Sequence, residues 1–260
     1  MLNIVVCLKV VNPAIPSGNQ FSDVSSSHLV ISSFDECALE TAIQVKEQYD
    51  SRITVVNIGV PESEAAIKKA LAMGADEAIQ VQIDTLGWMD TMLISRILTN
   101  IIKKIGSADL VFFGRQSEGW ESGHVGPMVA SMLGFHLVSL ATEVSIKGND
   151  IHALRQSETG VEIVEVPSAS VITVTNADTN IPRIPKMRDI MLSRKKKIVV
   201  YDLEDIGLNS NALDPENSCV ALESFYVPEQ SKVCQIIDGE TVDEKAEKLL
   251  THLRTLNLWT

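Results

Sequence analysis

The chain has 260 residues, 45% of them hydrophobic and 22% charged, enough for one sizeable core and a smaller appendage. Its net charge of −12 argues against a general nucleic-acid binder, because phosphate neutralisation needs a basic surface. Cys7, Cys37, Cys219 and Cys234 show no CxxC spacing and the histidines no ligand spacing, so reduced thiols, no disulfide framework and no metal site are expected.

Met1 leads straight into a strand pattern, with Lys9 interrupting the apolar run. The expectation is a cytoplasmic chain without signal peptide or membrane insertion. Residues 2–8, LNIVVCL, read as a buried strand. Residues 12–27, rich in Pro, Gly, Ser and Asn, read as loop or hairpin, and 28–32 as a short strand. Ser33 is placed to cap a helix, with Glu36 at capping-box spacing and Ala38, Leu39, Ala42, Ile43 and Val45 on its apolar face.

The alternation continues with strands at 53–59, 78–82 and 110–114, and helices at 62–73, 90–105 and 126–133. Short buried strands alternating with helices predict an α/β fold, a doubly wound, mainly parallel sheet. Ligands in such sheets lie beyond the carboxyl ends of the strands, where the strand order reverses. Four further strands, at 142–146, 151–156, 160–166 and 170–175, are expected as an antiparallel extension. Two prolines at 182 and 185 exclude helix and central strand there; residues 187–194 can be helical and Arg194–Lys197 is the densest basic run. The expected division is an α/β domain with its extension at 1–207 and a C-terminal arm at 208–260, carrying a helix at about 242–256.

The stretch 114–134, GRQSEGWESGHVGPMVASMLG, is the strongest local signal. A buried strand runs into a glycine-spaced loop that opens a helix, with Ser122 as expected cap and Pro127 in the first turn. Outward N–H groups at such a helix start suit an anion. His124 is placed either as an acid/base, as a phosphate donor or as a solvated side chain; Glu118 and Glu121 would repel a phosphate if both pointed inward, and one of them can accept from a ribose or adenine. No G-x-S-x-G, Walker A or G-x-G-x-x-G motif is present.

Four stretches in order resemble the β subunit of electron transfer flavoproteins, the FixA-like family. They are the opening strand with Cys7 and Lys9, residues 32–40 (SSFDECALE), residues 70–76 (ALAMGAD), and the loop from Gly114-Arg115-Gln116 to Val125-Gly126-Pro127. Residues 162–166 (EIVEV), 180–185 (NIPRIP) and the basic run agree in spacing. The resemblance implies an adenine nucleotide α-hydrolase-like fold and a heterodimer with an electron transfer flavoprotein α subunit that carries the redox-active FAD. It implies AMP in this subunit, or a second FAD in electron-bifurcating members. By position the nucleotide would touch Cys7, Ser32, Ser33, Phe34, Asp35, Ile58, Gly114, Arg115, Gln116, Glu121, Ser122, Gly123, His124 and Val125.

The resemblance also implies that Met187 anchors a partner acyl-CoA-type dehydrogenase, and that the chain is an electron carrier rather than a conventional enzyme. A bifurcating subunit would instead be part of a flavin-based oxidoreductase taking hydride from NADH. A stand-alone nucleotide-sensing module is the further alternative, by fold analogy. Ser32-Ser33 replaces the family's Asn-Pro, and Gly119-Trp120-Glu121-Ser122-Gly123-His124 departs from its loop pattern. Trp120 would stack on an adenine, block a second isoalloxazine or face solvent.

Overall fold

The computed structural model describes residues 1–13, 29–83, 90–119, 121–148, 150–220 and 234–259. The chain divides into two compact units, residues 1–224 and 225–260. The first is built on a nine-stranded sheet. Its strands are β1 (Leu2–Leu8), β4 (Ser51–Gly59), β5 (Glu77–Gln82), β6 (Leu110–Gly114), β7 (His136–Lys147), β8 (Asp150–Ser157), β9 (Gly160–Val166), β10 (Ser170–Val174) and β11 (Ile198–Tyr201). They lie in the order β11-β5-β4-β1-β6-β10-β7-β8-β9. Seven pair in parallel, and β8 and β9 continue the edge antiparallel. A separate two-stranded ribbon pairs β2 (Val10–Val11) with β3 (Val30–Ile31).

The parallel strands are apolar on both faces because helices cover both. Helices α1 (Ser33–Gln48) and α2 (Glu64–Met73) close one face around Ile4, Val6, Leu39, Ile53, Ile67 and Phe112. Helices α3 (Thr91–Ile105) and α4 (Val125–Leu133) close the other around Val5, Cys7, Val56, Ile97, Ile101, Val111 and Phe113. Neighbouring residues of β1 thus enter opposite cores, as a period of two requires.

Four sequence expectations are corrected. Residues 170–174 form no part of the antiparallel extension: β10 is a central parallel strand between β6 and β7. All five of its residues are buried, the pattern of a strand covered on both faces. Strand β7 does both jobs, its first half parallel to β10 and its second antiparallel to β8, with register shifts where the partner changes. Strand β11 was not anticipated; it is a four-residue edge whose Val199 and Val200 are about half exposed.

The other two corrections concern caps. Ser32, not Ser33, is the N-cap of α1, with no side-chain cap bond. Glu36 pairs with Lys69 instead of closing a box. Helix α4 is preceded by His124, not Ser122, because Gly123 at φ 66° turns the chain between them. Part of the expected loop at 12–27 and Trp120 fall outside the described residues.

The second unit holds α6 (Val242–Thr255), capped by the Thr241 hydroxyl accepting from the Glu244 N–H at 3.2 Å. None of the residues of α6 is buried. Leu249, Leu256, Leu258 and Trp259 are exposed. Among the described residues, no helix is long and apolar enough to cross a membrane.

Candidate functional site

Strand β1 is followed by β4 on one side, whereas the chain returns from β5 to β6 on its other side. The carboxyl ends of β1 and β6 therefore border the switch point where doubly wound folds open a crevice. One residue spans it. The Asp35 carboxylate, in the first turn of α1 and only 6% exposed, accepts from the Lys9 N–H at 2.8 Å and the Gly114 N–H at 2.9 Å.

Gly114 is required by this approach. A Cβ there would lie 2.6 Å from Asp35 Oδ1 and 2.7 Å from Phe34 Cβ. The loop that follows folds back on α1. The Arg115 guanidinium stacks on the Phe34 ring at 4.9 Å, a cation–π arrangement. The Arg115 N–H donates to the Val174 carbonyl at 2.7 Å. The Lys9 ammonium donates to Ser117 Oγ at 3.2 Å and to the Glu118 carbonyl at 3.5 Å.

Glu118 makes the second bridge. Its Oε1 accepts from the Ser33 hydroxyl at 2.6 Å and the Ser33 N–H at 3.3 Å. Its own N–H donates to Ser32 Oγ at 3.4 Å. An internal carboxylate thus sits at the start of α1, where unpaired N–H groups and the helix dipole favour negative charge. Sequence reasoning assigned Ser33 to Glu36; the signal it missed was a second serine and a second carboxylate in the two facing loops.

Burial sets the protonation of the centre. It pushes Asp35 up from 3.8 to about 7, against the two backbone N–H groups and Lys9, which pull it down. Desolvation likewise raises the Cys7 thiol, with Asp35 adding to the effect, and lowers the Lys9 ammonium. Cys7 is therefore a buried, protonated thiol in the core packed against β1.

The remaining residues expected to touch a nucleotide lie at the carboxyl end of β4 and in the loop between β6 and α4. Ile58 is half-buried at the end of β4, and Gln116 is half-buried in the loop. Glu121 (φ 50°) and Ser122 are exposed, while Gly123, His124 and Val125 lead into α4. Val125 and Gly126 present first-turn N–H groups that have no acceptor within the helix, and Pro127 has none to present. Arg115 Nε, Asn57 Oδ1 and Ser63 Oγ are buried without hydrogen-bond partners among the described residues. Glycines in the loop, first-turn N–H groups and an unsatisfied cationic donor are groups that could receive an anion such as a phosphate. Met187, by contrast, lies far along the chain at the start of α5 (Met187–Ser193) and is 73% exposed.

A mainly parallel sheet covered by helices on both faces defines an α/β protein of the doubly wound class. The chain matches the family model of the electron transfer flavoprotein domain over residues 24–206. It is 30% identical over 259 residues to an electron transfer flavoprotein subunit beta of Clostridium acetobutylicum, covering 97% of this chain and 98% of that one. It is 32% identical to the subunit beta of Bacillus subtilis, with 87% and 86% covered. It is 30% identical to the caffeyl-CoA reductase–Etf complex subunit CarD of Acetobacterium woodii, with 85% and 84% covered. The chain belongs to the electron transfer flavoprotein β-subunit family.

Proposed function

We propose that this chain is the β subunit of a cytoplasmic heterodimeric electron transfer flavoprotein that holds AMP in the switch-point crevice. The observation that carries the reading is the double bridge of the crevice, Asp35 to Lys9 and Gly114 and Glu118 to Ser33. These bridges tie the loop after β6 to the start of α1, beside which the nucleotide would lie. The phosphate would be received by the first turn of α4 and by Arg115, and the nucleoside by the backbone of Ser32 to Asp35, Cys7 and Ile58. The FAD on the α subunit supplies the electron-carrying chemistry when bound. This chain's side chains then position, exclude water and dock; none has to move a proton.

Of the arm expected at 208–260, the second unit, residues 225–260, acts on the α subunit, a role supported by the exposed Leu249, Leu256, Leu258 and Trp259. Docking of an acyl-CoA-type dehydrogenase falls to the surface around Met187. There Ile184, Met187, Met191 and Leu192 are exposed beside the exposed cations Lys186, Arg188, Arg194, Lys195 and Lys197. On a chain of net charge −12 this basic-rimmed apolar patch fits a partner with an apolar socket and an acidic rim. Methionine suits a grip that must be transient.

Denaturing the purified heterodimer and weighing the released nucleotides tests the cofactor reading. One FAD and one AMP per heterodimer is the expected result. Two FAD would replace it with the bifurcating reading, in which this subunit's own flavin accepts hydride from NADH. A stable nucleotide-loaded monomer would point to a nucleotide-sensing module.

A further inference from the structure

The segment between β10 and α5 has little regular structure, yet it is fastened firmly to the body of the first unit. Asn180, fully buried, donates from Nδ2 to the carbonyls of Thr142 at 3.1 Å and Thr175 at 2.9 Å, and accepts from the Ala177 N–H at 2.9 Å. Gln44 of α1 donates to the Thr179 carbonyl at 2.9 Å. Three residues on, Arg183 inserts a fork into the same helix. Its N–H and Nε donate to Glu40 Oε2 at 3.1 and 2.8 Å, and its Nη2 donates to Glu40 Oε1 at 2.8 Å. Its terminal nitrogens also reach Glu47, at 2.5 and 3.3 Å.

Glu40, Gln44 and Glu47 form one stripe of α1 at the i, i+4, i+7 spacing. The Glu40 side chain is only 5% exposed, and Arg183 is its sole ion-pair partner among the described residues. This buried carboxylate plays no part in the nucleotide crevice. What it does is fix the loop's direction. With Arg183 held inward, Ile181, Ile184 and Met187 stand out at 67, 91 and 73% exposure. Burying an ion pair adds little net stability against an apolar replacement, whereas a bidentate fork sets orientation strictly. The cluster's consequence therefore falls on the geometry of the outward side chains.

We propose that Arg183, clamped by Glu40, is the positioning residue of the dehydrogenase-docking surface, holding Ile184 and Met187 in the arrangement the partner reads. This rests on the docking function assigned to Met187 above. Without the fork the loop samples other arrangements, and an apparent binding constant weakens by the fraction of time it is competent.

The test uses the FAD-loaded heterodimer as acceptor for a short-chain acyl-CoA dehydrogenase reduced with butyryl-CoA, with hydrogen exchange followed at residues 181–187. Met187→Ala should raise KM for the heterodimer. Arg183→Met should raise it about tenfold, the effect of a loop competent about one-tenth of the time, with kcat and bound nucleotides unchanged and exchange faster at 181–187. Arg183→Lys, which keeps the charge without the fork, should fall between. Glu40→Gln combined with Arg183→Met, which strands no buried carboxylate, should be no worse than Arg183→Met alone.

If Met187→Ala raises KM but the Arg183 variants leave KM and exchange at wild-type values, the positioning role is wrong and docking at Met187 stands. No effect of Met187→Ala overturns the docking reading itself. Should Arg183→Met fail to assemble, Arg183→Lys decides on the same criteria.

Discussion

Replacing Gly114 by alanine strikes the point where three parts of the chain meet. The added Cβ would lie 2.6 Å from Asp35 Oδ1, 2.7 Å from Phe34 Cβ and 2.8 Å from the Phe34 carbonyl carbon. Carbon atoms settle at about 3.5–4.0 Å, so the first turn of α1 and the end of β6 must separate by about 1 Å. Overpacking of this kind costs about 1–3 kcal/mol. The separation also stretches the 2.9 Å bond from the Gly114 N–H to Asp35, and at about pH 8, where Asp35 is mainly ionised, a hydrogen bond to a charged group contributes about 1.5–3 kcal/mol. Gly114→Ala should therefore destabilise the chain by about 3–5 kcal/mol and release the nucleotide. Urea unfolding of the purified chain and nucleotide content after gel filtration give the two readouts. Gly148→Ala is the control: its φ is +67° but nothing lies within 4 Å of the added carbon, so backbone strain of about 1–2 kcal/mol is all it should show. If Gly114→Ala costs no more than Gly148→Ala and keeps its nucleotide, the close approach is not what shapes the crevice.

Asp35 should make stability depend on pH in an unusual sense for a carboxylate. Its folded value of about 7 lies above the ordinary 3.8, so between the two the folded state binds the proton that the unfolded state has lost. The stabilisation is complete below 3.8 and gone above about 7. Relative to Asp35→Asn, the wild type should gain about 3 kcal/mol between pH 8 and pH 5; a difference flat with pH in urea unfolding refutes this. Asn180→Ala should cost about 2–4 kcal/mol by leaving the Thr142 and Thr175 carbonyls and the Ala177 N–H without that side chain, and a thermal shift below the size expected for about 1 kcal/mol would count against it.

Much of the parallel sheet was readable along the chain because its strands are short apolar runs and its helices carry stripes of 3.6-residue period. Residues 110–114 and 126–133 were placed to within a residue as β6 and α4 for that reason. Strand β10 was readable as buried but not as central. SVITV has the same pattern wherever both faces are covered. Strand β11 escaped because four residues on an edge carry too little burial to stand out beside a basic run.

By itself the sequence determined the α/β class, the family, and the loop in which a nucleotide site was to be sought. These rest on local periodicity and on the order of motifs, both of which are linear properties of the chain. The tertiary structure alone decided which side chains close the crevice. Asp35 meets Lys9 and Gly114 across 26 and 79 positions, Ser33 meets Glu118 across 85, and Glu40 meets Arg183 across 143. A carboxylate's partner is chosen by which loops the sheet order brings together, and that order leaves no mark in local periodicity. The loop at 114–125 was thus singled out along the chain. Its chemistry, with Glu118 turned onto Ser33 rather than Glu121 turned inward, came from the folded chain.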